Sequence, residues 1–489
     1  MQAAFTVDKI REIEADLMEV EGDDVLMQRA AAGVARCASE MLTERRGRVY
    51  GTRVVIVVGA GNNGGDALFA GVRLARRGAQ VSVISALGEP HLAGATALSK
   101  AGGRFVTAEN VGFDDSVPTP SADLCIDGMF GIGGRAGLTG EPARLARRMR
   151  LSGLPTLAVD LPSGVDADTG AAPDSAVRAD RTVSFGGLKP CHFIEPARSR
   201  CGRIDLADIG FGHRGWRAGP DLLALTEHDL AVEWPFPDPA GDKYARGVVG
   251  VDTGSDQYPG AGVLSTYGAV YGGAGMVRFL GADRPAEIIR AQLPNVVFGA
   301  GRVQAHLFGC GWGDRADGAR VLAEALEGGL PAVVDADGLR YLPPRLPETW
   351  LLTPHAGELA RLLDQERSWV EADPHRAVRA AAEHTGATVL LKGATQLVTR
   401  PGPKPARVAV PGPAWTGQAG SGDVLGGLCA ALLATGIPAI TAAGLGASLQ
   451  AVTAARHPGP VPPMVLAQHF PDGIARLQRA REDEWSSRP

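Results

Sequence analysis

The 489-residue chain is poor in aromatic residues, 5% of the total, and its six cysteines (Cys37, Cys125, Cys191, Cys201, Cys310 and Cys429) form no CxxC pair. Thiols scattered in this way argue against a zinc site or a disulfide framework and point to a reducing compartment. Apolar runs are short or broken by glycine, and the first residues, Met-Gln-Ala-Ala-Phe-Thr-Val-Asp-Lys, hold no apolar signal region. A cytoplasmic protein with no membrane partner is expected. The formal net charge of −5 comes with no compact basic tract, which argues against a nucleic-acid surface. What the chain has in quantity is glycine, 66 residues, concentrated in part into two different loop motifs.

The length is too great for one ordinary core and predicts two domains of roughly 200 to 270 residues. In the first half, strand-like runs recur at Val54 to Val58, Gln80 to Ser85, Asp123 to Ile126, Thr156 to Val159 and Arg181 to Phe185, after one helix over Glu12 to Met41. Continuous Val/Ile/Leu runs with helix-length segments between them predict a parallel, doubly wound α/β sheet of Rossmann-like type. The pattern stops at Phe211-Gly-His-Arg-Gly-Trp-Arg-Ala-Gly-Pro220 and Trp234-Pro-Phe-Pro-Asp-Pro239, and resumes with strands from Gly247 onward. The expected organisation is therefore a domain over 1–213, a connector over 214–241 and a second α/β domain over 242–489.

The run Gly59-Ala-Gly-Asn-Asn-Gly-Gly-Asp66 follows the strand Arg53 to Val58 and precedes a helix-like segment over Ala67 to Arg77, giving the strand, glycine turn and helix order of a nucleotide-binding unit. An NAD-linked dehydrogenase would end its second strand on an acidic residue, whereas Gln80-Val-Ser-Val-Ile-Ser-Ala-Leu87 ends in Ser and Ala. Asn62 and Asn63 also place carboxamides where such enzymes keep small residues. Asp127 and Asp160 fall at strand ends, where carboxylates face the ligand crevice, although each could serve only as a helix cap. Asn63, Asp127 and Ser163 offer hard oxygen ligands for a monovalent cation.

With GNNGGD at Gly61 to Asp66, DGMFGIG at Asp127 to Gly133, DLPSGVD at Asp160 to Asp166 and FGGLKP at Phe185 to Pro190, the first half resembles the epimerase domain of NAD(P)H-hydrate repair enzymes. The resemblance implies that Asn62, Asn63, Gly64, Gly65 and Asp66, together with Gly131, Ile132, Gly133, Gly134, Arg135, Ala136, Gly137 and Asp160, bind the hydrated dinucleotide. It implies potassium at Asn63, Asp127 and Ser163. Ala67 stands where the family usually has glycine.

In the second half, Gly420-Ser-Gly-Asp423 opens a small-residue helix and offers successive backbone N–H groups to a transferring phosphoryl group, with Asp423 placed to take a hydroxyl proton. Considered alone, Asp423 could merely cap its helix. Lys392-Gly-Ala-Thr-Gln396 and Thr353-Pro-His-Ala-Gly-Glu358 are two more strand-end loops. Together with Lys243-Tyr-Ala-Arg-Gly247, Tyr258-Pro-Gly-Ala261, Gly309-Cys-Gly-Trp-Gly313 and Asp335-Ala-Asp-Gly-Leu339, they make this half similar to the ADP-dependent dehydratase of the same repair system, which is ribokinase-like. The resemblance implies that Ala261, Gly313, His355 and Asp423 contact the hydrated nucleotide, and that Lys392, Gly393, Ala394, Thr395, Gln396 and Gly422 hold the adenine nucleotide. Gln396, Asp252-Thr-Gly-Ser255, Cys310 and Trp312 depart from the family pattern.

A bifunctional repair enzyme is thus expected, with Asp423 as catalytic base of ADP-dependent dehydration, Asp127 and Asp160 as acid/base groups of epimerisation, NADHX or NADPHX and ADP as small-molecule substrates, K+ in the first domain and Mg2+ with ADP in the second. A homo-oligomer is also expected. The competing classes are a sugar or vitamin kinase, which would not need the GNNGGD domain, a dinucleotide-binding protein without turnover, and a dehydrogenase.

Overall fold

The computed structural model describes residues 1–111 and 122–486. It divides into two compact units, one of Ala3–Asp221 and one of Leu222–Pro489 together with Met1–Gln2.

In the first unit, strands β1 (Arg53–Val58), β2 (Gln80–Ser85), β3 (Arg104–Phe105), β4 (Leu124–Gly128), β5 (Thr156–Val159), β6 (Arg181–Phe185) and β7 (Arg203–Ala207) pair in the order β3-β2-β1-β4-β5-β6-β7. Every pairing is parallel. The continuous Val/Ile run of β1 serves both faces: Val54, Ile56 and Val58 enter one apolar cluster, Val55 and Val57 another. The strand order reverses between β1 and β4, so the crevice lies at their carboxyl ends, where Gly59 and Asp127 stand. The expected single helix over Glu12 to Met41 is two helices, Val7–Glu21 and Asp23–Arg46, because Gly22 takes φ 87° between them.

In the second unit, β8 (Leu222–Ala224), β9 (Val248–Asp252), β10 (Met276–Phe279), β11 (Val297–Phe298), β12 (Ala305–Phe308), β13 (Ala332–Val334), β14 (Leu351–Leu352), β15 (Thr388–Leu391), β16 (Leu397–Thr399) and β17 (Ala406–Val408) run β8-β17-β16-β15-β14-β13-β12-β9-β10-β11. The pairings from β15 to β11 are parallel, while β16 is antiparallel to both neighbours. Here the order reverses between β9 and β12. The expected connector over 214–241 needs correction: it holds β8, and Leu230, Ala231 and Trp234 are buried in the second unit's core. Proline and glycine density marked irregular backbone there, but the short Leu222–Ala224 run pairs with β17 and draws the segment into the second unit.

Candidate active sites

In the first unit, the helix Asn62–Arg76 starts directly after the Gly59-Ala-Gly61 turn, five residues earlier than its Ala67 start in the sequence reading. The glycines are needed for close approach of backbones. A Cβ on Gly64 would lie 2.4 Å from the Gly59 carbonyl oxygen, and one on Gly59 would lie 2.3 Å from that of Met129. Of the expected ligand run, Asn62 is exposed and Asn63 half-buried, whereas Gly64, Gly65 and Asp66 are buried. Gly65 lies against the His91 ring and Met27, so helix packing accounts for it. Ala67 is matched across the sheet by Gly128, where a Cβ would come within 2.5 Å of the Ala67 methyl.

Asp127 is fully buried at the end of β4. Its carboxylate accepts hydrogen bonds from the Ser163 hydroxyl (2.6 Å), the Ser163 N–H (2.8 Å) and the Met129 N–H (3.2 Å), while Ser163 Oγ accepts one from the Phe130 N–H (2.9 Å). These bonds pin the 129–137 loop to the 160–166 loop. Burial pushes Asp127 up to about 6 despite the three donors. With its carboxylate turned inward, Asp127 fits a positioning role rather than the direct acid/base role expected for it.

Asp160, by contrast, faces the 129–137 loop at Gly131. It takes φ 68°, a left-handed conformation that Asp tolerates better than most residues, as functional positions often require. Asn63 Oδ1 and Asp160 Oδ2 both face Gly131, 2.9 and 3.3 Å from where its Cβ would be, so a side chain there would close the gap between them. Gly133, Arg135 and Ala136 are exposed on the same loop, Ile132 and Gly134 half-buried, and Gly137 is fixed by donating to the Gly164 carbonyl (2.8 Å). The sequence reading missed the partner of Asp160. Lys189, 1% exposed, donates from Nζ to Asp160 Oδ1 (2.5 Å), Ser184 Oγ (3.0 Å) and the Phe185 carbonyl (3.2 Å). His192 accepts from the Lys189 N–H through Nδ1, and burial followed by the Lys189 charge hold it down at about 4, hence neutral. Glu14, from the N-terminal helix, sits in the field of Lys189 and Asp160, and burial raises its pKa.

Because Lys189 and Asp160 are both buried, replacing Lys189 by Met leaves a carboxylate with no countercharge, and breaking such a pair costs about 3 to 5 kcal/mol. Chemical denaturation of Lys189→Met measures this. A loss below about 1 kcal/mol would show that Asp160 finds another partner.

In the second unit, the helix Ser421–Leu433 begins after Gly420, whose φ of 90° requires glycine, and carries Asp423 in its first turn. Lys392, at the end of β15, donates to Asp335 Oδ1 at the end of β13 (2.5 Å). A Cβ on Gly422 would lie 3.1 Å from Lys392 Nζ and 3.5 Å from Asp335 Oδ2, so the GSGD turn is pressed onto this pair. Cys310 Sγ lies 3.8 Å from Asp335 Oδ2, and ligand atoms of Cys310, Asp335 and Asp423 fall within 4.8 Å of one another. Burial, then the Asp335 carboxylate, push Asp423 up to about 7 against the pull of Lys392. Burial, the largest single influence, would lower Lys392, but Asp335 and Glu358 together outweigh it and raise the lysine above its ordinary value.

The other expected contacts lie around this centre. Ala261 packs where Gly311 leaves room, 2.5 Å from its would-be Cβ, and Gly313 (φ 62°) lies beside the Tyr258 ring and donates to Asp337 (2.9 Å). His355 is 56% exposed, and its Nδ1 accepts from the N–H groups of Gly357 and Glu358, capping the helix Ala356–Leu362. A capping role is thus shown, beside which substrate contact through the exposed ring edge is an addition. His355 also bridges to Lys392 across the strand ends. Gly393 and Ala394 are exposed, Thr395 half-buried, and the Gln396 carbonyl accepts from the Ala409 N–H (3.0 Å). Two departures from the family pattern meet: Trp312 Nε1 donates to the Asp252 carbonyl (2.9 Å), and Arg315, stacked on the Trp312 ring, donates to Asp252 Oδ1 (2.6 Å).

Comparison with known proteins agrees with this division. A family model described as YjeF-related protein N-terminus matches residues 23–191, and one described as NAD(P)H-hydrate dehydratase matches residues 249–472. A protein of Mycobacterium tuberculosis named bifunctional NAD(P)H-hydrate repair enzyme Nnr is 42% identical over 456 residues, 91% of each chain. The chain belongs to this bifunctional family. A relative of the same name from Mycobacterium leprae is 41% identical over 98% of this chain and 100% of its own length. Among solved structures, a ribokinase-like superfamily protein from Enterococcus faecalis aligns at 20% identity and a TM-score of 0.48, covering 53% of this chain and 97% of its own.

Within this family member the two sites share one plan: carboxylates and lysines at parallel strand ends, roofed by glycine loops. Lys189 was legible as the lysine of FGGLKP and Asp335 as the first residue of DADGL, but only the fold pairs them with Asp160 and Lys392. Among the described residues, no helix is long and apolar enough to cross a membrane.

Proposed function

We propose that this chain interconverts the R and S epimers of hydrated NADH and NADPH in its first unit and dehydrates the S epimer in its second, using ADP and releasing NAD(P)H, AMP and phosphate. The observation that carries the reading is the half-buried Asp423, placed at a helix start against the Lys392–Asp335 pair. Hydroxide is a poor leaving group, so the C6 hydroxyl must first be converted. Asp423 takes its proton as the oxygen attacks the terminal phosphorus of ADP, and AMP departs. Backbone N–H groups of the GSGD turn and Lys392 face the charge that develops on the transferred group. Phosphate then leaves C6 as the ring nitrogen pushes electrons in and C5 loses a proton. Gly393 to Gln396 and Gly422 hold the nucleotide, while Ala261, Gly313 and His355 face the hydrated ring. Mg2+ bound with ADP would neutralise phosphate charge.

In the first unit, Asp160 with Lys189 moves the proton of the C6 hydroxyl during epimerisation, and Asp127 holds the two loops around them. The donor set of Asn63, Asp127 and Ser163 is all oxygen, the chemistry that suits K+, and the Asn63 Nδ2 has no hydrogen-bond partner among the described residues, so its carboxamide is not locked by other bonds. Bound there, the ion would supply positive charge beside the buried Asp127. The substrates are small molecules, and we place the protein in the cytoplasm as a homo-oligomer.

The test is absorbance recovery from a mixed-epimer NADHX preparation with ADP, with ATP and with neither. Full recovery with ADP is expected; accumulation of a stable phosphorylated product would favour a kinase. The apolar clusters of the two units are separate, so the units should also work apart. A fragment starting at Leu222 is expected to dehydrate the S epimer and stall with the R epimer unconverted, apart from slow spontaneous exchange. Adding the fragment ending at Asp221 restores full conversion. A C-terminal fragment that consumes both epimers equally fast would remove epimerisation from the first unit.

A further inference from the structure

We infer that Trp415 is the stacking platform for the adenine base of ADP, an assignment that rests on the dehydratase reading above. The indole is 56% exposed, on a segment joining the two motifs assigned to the nucleotide. Upstream, the Ala409 N–H donates to the Gln396 carbonyl (3.0 Å), tying the segment to the KGATQ turn. Downstream it ends at Gly420, whose would-be Cβ lies 3.9 Å from Asp423 Oδ2. Between these ends the backbone is fixed. Val410 N–H donates to Ser448 Oγ (3.0 Å), a short turn over Ala414–Thr416 is closed by Thr416 Oγ1 on the Pro413 carbonyl (2.9 Å), and Gln418 Nε2 donates to both the Trp415 carbonyl (2.8 Å) and the Val461 carbonyl (3.0 Å).

An isolated exposed apolar side chain needs no explanation. This one is a flat ring held on a braced loop, on a segment tied through Ala409 to the KGATQ turn, whose Gly393 and Ala394 are exposed and have no side chain able to grip a purine. Lys392 and the GSGD amides serve the phosphates, and Trp415 offers the base a flat apolar face. Tyr258, also exposed, lies instead beside Gly313, 3.5 Å from its would-be Cβ, where the hydrated nicotinamide is placed. The two planar parts of the reacting pair would thus each have one aromatic partner. Stacking of this kind tolerates any purine, so the residue sets affinity for the base more than its identity.

Calorimetric titration of the full-length chain with ADP and with magnesium pyrophosphate tests this. Trp415→Ala is expected to raise the Kd for ADP, and the KM, about tenfold with kcat nearly kept, Trp415→Phe to restore most of the affinity, and pyrophosphate to bind wild type and variant alike. Equal ADP affinity in wild type and Trp415→Ala would overturn the assignment, and an equal loss for ADP and pyrophosphate would do so by showing a merely structural role. A wild-type chain that binds no ADP would overturn the dehydratase reading and this inference with it.

Discussion

Asp423→Asn is expected to lower ADP-dependent dehydration by about 10²- to 10⁴-fold, the usual cost of losing a general base, while leaving ADP affinity within a fewfold of wild type. The substitution keeps the size of the side chain and its place in the first turn of Ser421–Leu433, and the Lys392–Asp335 pair, proposed to lie at the phosphates, is untouched. The wild-type pH profile gives an independent check. A carboxylate pushed up to about 7 is largely protonated in mild acid and so unable to accept the hydroxyl proton. The rate should therefore climb as pH rises through about 7 and level off above it, and the limb should vanish in the variant. Near-normal turnover of Asp423→Asn, or a wild-type rate flat from pH 6 to about 8, would take Asp423 out of the proton transfer.

Asp127→Ala should slow epimer exchange by about 10²-fold, because displacing a reacting group by as little as 1 Å can cost that much. The substitution removes the acceptor shared by the Ser163 hydroxyl, the Ser163 N–H and the Met129 N–H, and so releases the loop carrying Gly131 from the loop carrying Asp160. Each buried donor left without an acceptor also costs about 1 to 3 kcal/mol, so the first unit will be less stable. Asp127→Asn, which keeps one carbonyl acceptor, serves as the milder companion. Exchange between R- and S-NADHX followed chromatographically, beside dehydration of pure S epimer, gives the readout. Loss of both activities together in variants that remain folded would contradict the separation of the two sites.

The central strands of both units were legible because their runs of Val, Ile and Leu are continuous, and the site loops because glycine and aspartate follow those runs directly, as at Gly59 and Asp127. Short strands without such runs, among them Arg104–Phe105, Arg203–Ala207 and Leu397–Thr399, were not. What else the sequence hid was of two kinds. The start of the helix Asn62–Arg76 was misplaced because glycine lowers local helix propensity: Asn62 to Asp66 is helical although it holds Gly64 and Gly65, and Gly64 lies too close to the Gly59 carbonyl for any side chain. Pairings over long separations were invisible. Lys189 meets Asp160 from 29 residues away and Lys392 meets Asp335 from 57, and nothing local to either lysine announces an acidic partner. The inward turn of Asp127 belongs to the same class, since only the approach of Ser163 shows that its carboxylate joins the two loops.

The contact between Ala67 and Gly128 bears on how this chain can vary over time. The methyl group at 67 fills the space that a methyl group at 128 would need, with 2.5 Å between the two Cβ positions. One of the two positions must therefore be glycine, and here the glycine is on the strand rather than the helix. Neutral drift at either site is conditional on the state of the other: an alanine at 128 becomes admissible only where 67 is glycine. The departure at Ala67 is thus half of a two-residue haplotype, and its acceptability in a relative should be judged from what that relative carries opposite it.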